Sequence, residues 1–159
     1  MRLILENKCS ILDCDDEYNH ILDNTKYCNR HIPENKLDVG HRLALLARKH
    51  FYGEKKLIAQ GPFFTKAEIK NDKITLSFSD IGTGLISKDG KALQQFQIAG
   101  ADKQFVWANA IITNNQVIVW SDEIKNPLYV RYAWADNPSG ANLYNKEGLP
   151  AGPFTTLMP

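Results

Sequence analysis

The sequence predicts a mainly β chain: an antiparallel β-sandwich preceded by a short N-terminal stretch that holds one amphipathic helix. Three observations carry this reading. Beyond Gly53, seven short segments alternate or run apolar: "KLIAQ", "FTKAEIKN", "KITLSFS", "QQFQIAG", "FVWANAII", "QVIVWS" and "LYVRYAW". Turn dipeptides punctuate them, with Asn71-Asp72 and Asn114-Asn115 each between neighbouring runs and so marking hairpins. Only one segment, residues 33–52, has a strong helical pattern, and it lies before all seven runs. Strands without intervening helices pair antiparallel, because a parallel pair needs a long crossover.

Taken in order, residues 9–13, "CSILD", read as a short buried strand that ends in the acidic run Asp13, Asp15, Asp16 and Glu17. Residues 18–32 show no clear period and are assigned to loop, with room for one turn of helix. Pro33 opens the helix, with Glu34 and Asp38 in the early turns and Arg48, Lys49 and His50 at the end, the arrangement that the helix dipole favours. Val39, Leu43, Leu46 and His50 follow one helical face, Leu45 and Ala47 widen it, and Gly53 is the stop. After the helix come the strand segments, with a further tight turn in "SKDGK" at Asp89-Gly90. "QVIVWS" reads as a strand buried on both faces. The last strand, with Val130, Tyr132 and Trp134 on one face, runs into a segment rich in Asn, Pro and Gly that still carries Leu143, Tyr144, Leu149 and Phe154.

Composition narrows the function classes. Nineteen basic and eighteen acidic residues leave a formal charge of +1 with no basic stripe, which argues against a nucleic-acid partner. No apolar run approaches the ~20 residues of a membrane helix. "MRLILENK" is too short in apolar residues for a signal peptide, so localisation is unknown from this chain. Cys9, Cys14 and Cys28 with His20 and His31 form C-x4-C-x5-H-x7-C-x2-H, which matches no standard zinc spacing, and an odd cysteine count opposes a complete disulfide framework. Idle thiols, no metal and no cofactor are the expectation. The acidic run lacks the glycine and distal glutamate of a calcium loop.

Among Trp107, Trp120 and Trp134, the last is the candidate sugar platform, because Asp136 and Asn137 flank it with polar groups. The plainer reading is that sandwich interiors are full of inward aromatics. His41 and His50 lie within the helix and are read as surface residues.

Four stretches together resemble a known family: "PENKLDVGHRLALLARKHFYGE", "QGP", "DGKALQQFQIAGADKQFVWANA" and "VRYAWADNP…NLYNKEGLPAGPF". In order and in register over roughly residues 33–157, they look like the C-terminal part of the sialate O-acetylesterases, carbohydrate esterases of the SGNH-hydrolase kind. The resemblance implies that residues 1–56 are the end of an α/β hydrolase domain, a remnant, and that residues 57–159 are the sandwich. It implies hydrolysis of acetyl esters on sialic acid or related sugars, without metal or organic cofactor, in a family that is periplasmic or secreted. The family's nucleophile sits in a G-Q-S-N-like turn, and no such turn occurs in these 159 residues.

The family's histidine lies in a D-I-H-P-x-N-K segment, where this chain reads "NRHIPENK". His31 is then one place early, with Ile32 at the histidine position. His20 in "LDCDDEYNH" is the second candidate, oriented by Asp16 or Glu17, with about ten residues inserted before Pro33. The partners implied are an O-acetylated glycan and either a complementary hydrolase chain or a second copy of this one. The segment from Asn137 to Phe154 is expected to be a packed loop that ties the two domains together.

Overall fold

A computed structural model describes residues 36–157 and, nearer the N-terminus, the backbone of residues 20–22 and 25–27. Two units divide the chain, residues 1–41 and 42–159. In the first, β1 (His20–Leu22) and β2 (Thr25–Tyr27) pair antiparallel, with His20 opposite Tyr27. This corrects the loop expected over 18–32. A three-residue ladder is held by backbone bonds and needs no side-chain alternation to announce it. The strand expected at 9–13 lies outside the described residues.

Helix α1 (Lys36–His50) has Asp38 in its first turn and Arg48, Lys49 and His50 in its last. It ends where predicted: Gly53 adopts φ 78°, and the Glu54 N–H returns to the Arg48 carbonyl. The predicted face holds only in part: Leu45, Leu46 and Ala47 are covered, but Val39, Leu43 and His50 are not. Leu43 is 62% exposed and Val39 and His50 are also exposed, whereas Leu45 is buried and Arg42, Leu46 and Lys49 are half-buried. The packed stripe is therefore 42, 45, 46 and 49, itself an i, i+3, i+4, i+7 set. Apolar residues lie around much of this helix, so periodicity alone did not single out which face meets a neighbour.

The sandwich is built from two four-stranded antiparallel sheets. One orders β3 (Phe63–Lys70), β4 (Lys73–Ser79), β9 (Gln116–Trp120) and β8 (Asn109–Thr113). The other orders β12 (Phe154–Thr155), β10 (Tyr129–Tyr132), β6 (Phe96–Ala99) and β7 (Val106–Trp107). A ribbon of β5 (Leu85–Ser87) and β11 (Leu143–Asn145) completes the unit. Both predicted hairpins are present: β3 turns into β4 at Asn71 (φ 56°), and β8 into β9 at Asn114 and Asn115 (φ 50° and 57°). Asparagine tolerates this left-handed backbone, which such two-residue turns require.

Alternation explains the core. Ile74, Leu76, Val117 and Val119 point inward from one sheet and Phe96, Ile98, Val130 and Tyr132 from the other, all nearly inaccessible to water. Aromatic rings join the layers: Phe64 stacks on Phe154 at 4.4 Å, and Phe154 lies 5.9 Å from Tyr132, itself 4.6 Å from Phe96. Strand β9 corrects the reading of a doubly buried strand. Val117 and Val119 are buried while Gln116, Ile118 and Trp120 are half-covered, because only one face of its sheet meets the other layer.

Residues 56–60, expected as a strand, are irregular. Leu57 and Ala59 instead pack with Leu45, Leu46 and Leu149 in a small second cluster between α1 and the sandwich. The β3 edge carries a bulge between Phe64 and Lys66 and the charged row Lys66, Glu68 and Lys70, devices that discourage strand addition from another chain.

Candidate functional site

Strand β10 ends at Tyr132, and the next residue, Ala133, takes a left-handed conformation with φ 50°. Its N–H is held by the Gln95 carbonyl at 3.0 Å, so the turn is anchored to the neighbouring sheet strand rather than to its own loop. A non-glycine residue at positive φ breaks the strand's alternation and redirects the chain. Trp134 leaves the core there and is 54% exposed, followed by exposed Ala135, Asp136 and Asn137.

Ala133 and Pro138, on either side of that exposed stretch, line a cleft of about 480 Å³. Helix α1 contributes Arg42 and Leu46, the connector contributes Ala59, Gln60 and Gly61, and the far wall is Tyr144 with residues 149–153. All of these belong to the second unit. The walls are mainly apolar, and the polar side chains among the lining residues are the Arg42 guanidinium, the Gln60 amide and the Tyr132 and Tyr144 phenols.

Asn145 fixes the cleft's shape. Wholly buried, it accepts the Leu149 N–H on Oδ1 at 2.8 Å and donates from Nδ2 to the Gln60 carbonyl at 3.2 Å. One side chain thus clamps the 145–149 turn and the connector together. Gly61 permits the closeness: a Cβ there would fall 1.9 Å from the Pro150 carbonyl oxygen. Asn142 clamps the adjoining corner, accepting the Gln94 N–H at 2.9 Å and donating to the Asp89 carboxylate at 2.9 Å and the Ala92 carbonyl at 3.0 Å. That donation, with those of the Ser87 hydroxyl and the Lys91 N–H, holds the Asp89 carboxyl down at about 2.

At the floor, the Tyr132 hydroxyl accepts the Leu143 N–H at 3.1 Å, and burial pushes the phenol up to about 12. It stays protonated at neutral pH and supplies no base. On the rim the Lys88 ammonium lies 4.9 Å from the Tyr144 ring centroid, a cation–π contact that orients the phenol.

Among the described residues no hydrogen bond joins a serine to a histidine: the Ser77 hydroxyl accepts from Gln116, Ser79 donates to Asp80, and Ser87 donates to Asp89. Among those residues no group of three His, Cys, Asp or Glu is placed to hold a metal, and no helix is long and apolar enough to cross a membrane.

The predicted residues divide as follows. Trp134, Asp136 and Asn137 share one exposed segment, and none of the three lines the cleft, although Ala133 and Pro138 on either side of them do. His20 lies on β1, its side chain outside the described residues, as are His31, Asp16 and the three cysteines. The tail is only partly a tie between helix and sandwich. Leu149 packs with Leu45, but Leu143 and Phe154 are spent inside the sandwich itself, on β11 and β12.

Sequence reading did not single out Arg42, Gln60 or Gly61, and named Tyr144 only as an apolar residue of the tail, yet a signal existed. Three of the four stretches that carry the family resemblance, at 33–54, 60–62 and 130–154, supply nearly the whole lining, and the other holds Ala133 in place through Gln95.

No protein-family model matches the chain. The rat (Rattus norvegicus) protein named sialate O-acetylesterase is 34% identical over 137 residues, which are 79% of this chain and 24% of that protein. A carbohydrate acetylesterase from Xanthomonas citri, seen in a crystal structure, is 47% identical and superposes with a TM-score of 0.75, over 79% of this chain and 29% of that one. The chain therefore spans less than a third of the length of either relative.

Proposed function

Because the chain belongs to the sialate O-acetylesterase family and carries its C-terminal portion, we propose that it serves an esterase that removes acetyl groups from hydroxyls of sialic acid or a related sugar. The observation that carries this reading is agreement of sequence and fold over the same 79% of the chain with an acetylesterase at 47% identity.

In such a reaction a serine attacks the ester carbonyl, a histidine takes its proton and passes it to the leaving sugar hydroxyl, and fixed donors hold the oxyanion. Water then releases acetate from the acyl-enzyme. In this chain the base is His31, or His20 oriented by Asp16. The serine comes from a polypeptide segment that this chain does not contain, because none of its serines stands in the glycine-bounded elbow that the nucleophile needs. No metal or cofactor enters the chemistry.

Acetate release from O-acetylated sialic acid is the test. The 159-residue polypeptide alone is expected to release none above the buffer control. Turnover that survives replacement of both His20 and His31 by alanine defeats the assignment of the base.

A second reading, a non-catalytic sugar-binding module, is favoured by one observation: Trp134 is exposed in the same short segment as Asp136 and Asn137, between two residues, Ala133 and Pro138, that line the cleft. It predicts glycan binding by the polypeptide without hydrolysis, and loss of that binding in Trp134→Ala. Binding unchanged in that variant removes the platform.

A further inference from the structure

The outer face of the sheet β12–β10–β6–β7 carries a second feature, whose residues are not among those that line the cleft. Register puts Arg131 opposite both Thr155 and Gln97, and Gln97 opposite Trp107, so these four form one row across the sheet. Their neighbours Val130, Ile98 and Val106 pack inward, and alternation therefore turns the row outward.

The row is built, not merely exposed. The Arg131 Nε donates to the Gln97 Oε1 at 2.6 Å, and the guanidinium carbon lies 4.0 Å from the Phe105 ring centroid. Two contacts hold the guanidinium, which is planar and offers a fork of further N–H groups. Among the described residues those terminal nitrogens have no acceptor and no carboxylate pairs with Arg131. At the end of the row Trp107 is 64% exposed, on an outermost strand, about two strand spacings or 10 Å from the Arg131 backbone.

The other tryptophans lack these properties. Trp120 is half-covered and has the Lys73 ammonium over it at 5.3 Å. Trp134 neighbours the Asp136 carboxylate, which repels an anion.

We propose that this face binds a sugar that carries a carboxylate, with Arg131 taking the carboxylate, Gln97 a hydroxyl, and the Trp107 indole the apolar face of the ring. Charge complementarity sets the occupant. A half-buried, pre-oriented guanidinium without an acid partner suits the bidentate geometry of a carboxylate. The exposed aromatic beside it distinguishes a sugar acid from a simple anion. The site is separate from the ester-hydrolysis reading and stands or falls without it.

The experiment is an NMR titration of the 159-residue polypeptide with methyl glucuronide, methyl glucoside and sodium acetate, following the Trp107 indole N–H and the Arg131 Nε–H. Saturable shifts at both groups are expected, with glucuronide binding about tenfold more tightly than glucoside or acetate. Trp107→Ala and Arg131→Lys should each weaken it by about that factor, and Ile69→Ala, an exposed position on the other sheet, should leave it unchanged. Should Arg131→Lys disturb the far-ultraviolet circular dichroism, the exposed Trp107→Ala variant decides alone. Absence of saturation, equal affinity for acetate or for glucoside, or full binding by Trp107→Ala overturns the proposal. No acetyl ester is present, so the result is independent of any failure of the esterase reading.

Discussion

Replacing Asn145 by alanine deletes both arms of the clamp that shapes the cleft. The Leu149 N–H then loses its acceptor at 2.8 Å and the Gln60 carbonyl loses its donor at 3.2 Å, with neither group having another partner among the described residues. The side chain they lose is wholly buried. A buried group left unmade costs about 1–3 kcal/mol, so the pair sums to about 2–6 kcal/mol. Water entering from the adjoining cleft offsets part of this, and about 3 kcal/mol is the expected loss. Urea unfolding followed by tryptophan fluorescence measures it, with the m-value unchanged if the denatured states match.

Asn145→Asp separates the two arms. It keeps the acceptor for Leu149 but sets an ionised oxygen against the Gln60 carbonyl, which raises the folded-state carboxyl pKa. Stability is then expected to return as pH falls through that raised value, because the protonated acid donates again. A loss below about 1 kcal/mol in Asn145→Ala, or an Asp variant with no recovery in acid, refutes the clamp.

Gly61→Ala forces a Cβ to 1.9 Å from the Pro150 carbonyl oxygen, so the connector or the 149–153 wall must move; a loss of about 2 kcal/mol or more by urea unfolding is expected, and a neutral result means the approach is not tight. The Asp89 carboxyl, held at about 2 first by Asn142 and then by Ser87 and Lys91, stabilises the fold fully above about pH 4, and this contribution is lost as pH falls toward 2. Asp89→Asn should therefore flatten the acid limb of unfolding measured from about pH 5 to 2, and an unchanged limb counts against it. Tyr132→Phe strands the Leu143 N–H at a cost of about 1–3 kcal/mol. Because the folded phenol keeps its proton up to about 12, wild-type stability should decline above about pH 10 and the phenylalanine variant should decline less, as read from alkaline unfolding.

Near-neighbour chemistry was legible from the residues. Asn71-Asp72 and Asn114-Asn115 announced hairpins because a two-residue turn depends only on residues that tolerate positive φ, a property of the side chain itself. The end of α1 at Gly53 followed from the same local rule. The alternation of Val117 and Val119 revealed a strand, although not that only one of its faces is covered. The resemblance pointed to the stretches that line the cleft, but not to their meeting.

Partnership across long separations was decided by the tertiary fold. Strands β5, β11 and β12 are two or three residues each, too short for a period, and they exist because Leu85 finds Asn145 and Phe154 finds Tyr132. The packed face of α1 is set by Ala59 and Leu149, which lie far along the chain, and so Leu45 is buried while Leu43 is not. Composition and periodicity determined that this polypeptide is a sandwich with one helix before it. The cleft and the Arg131 row required closing loops of tens of residues, a choice made by the packing of whole layers and encoded in no single stretch.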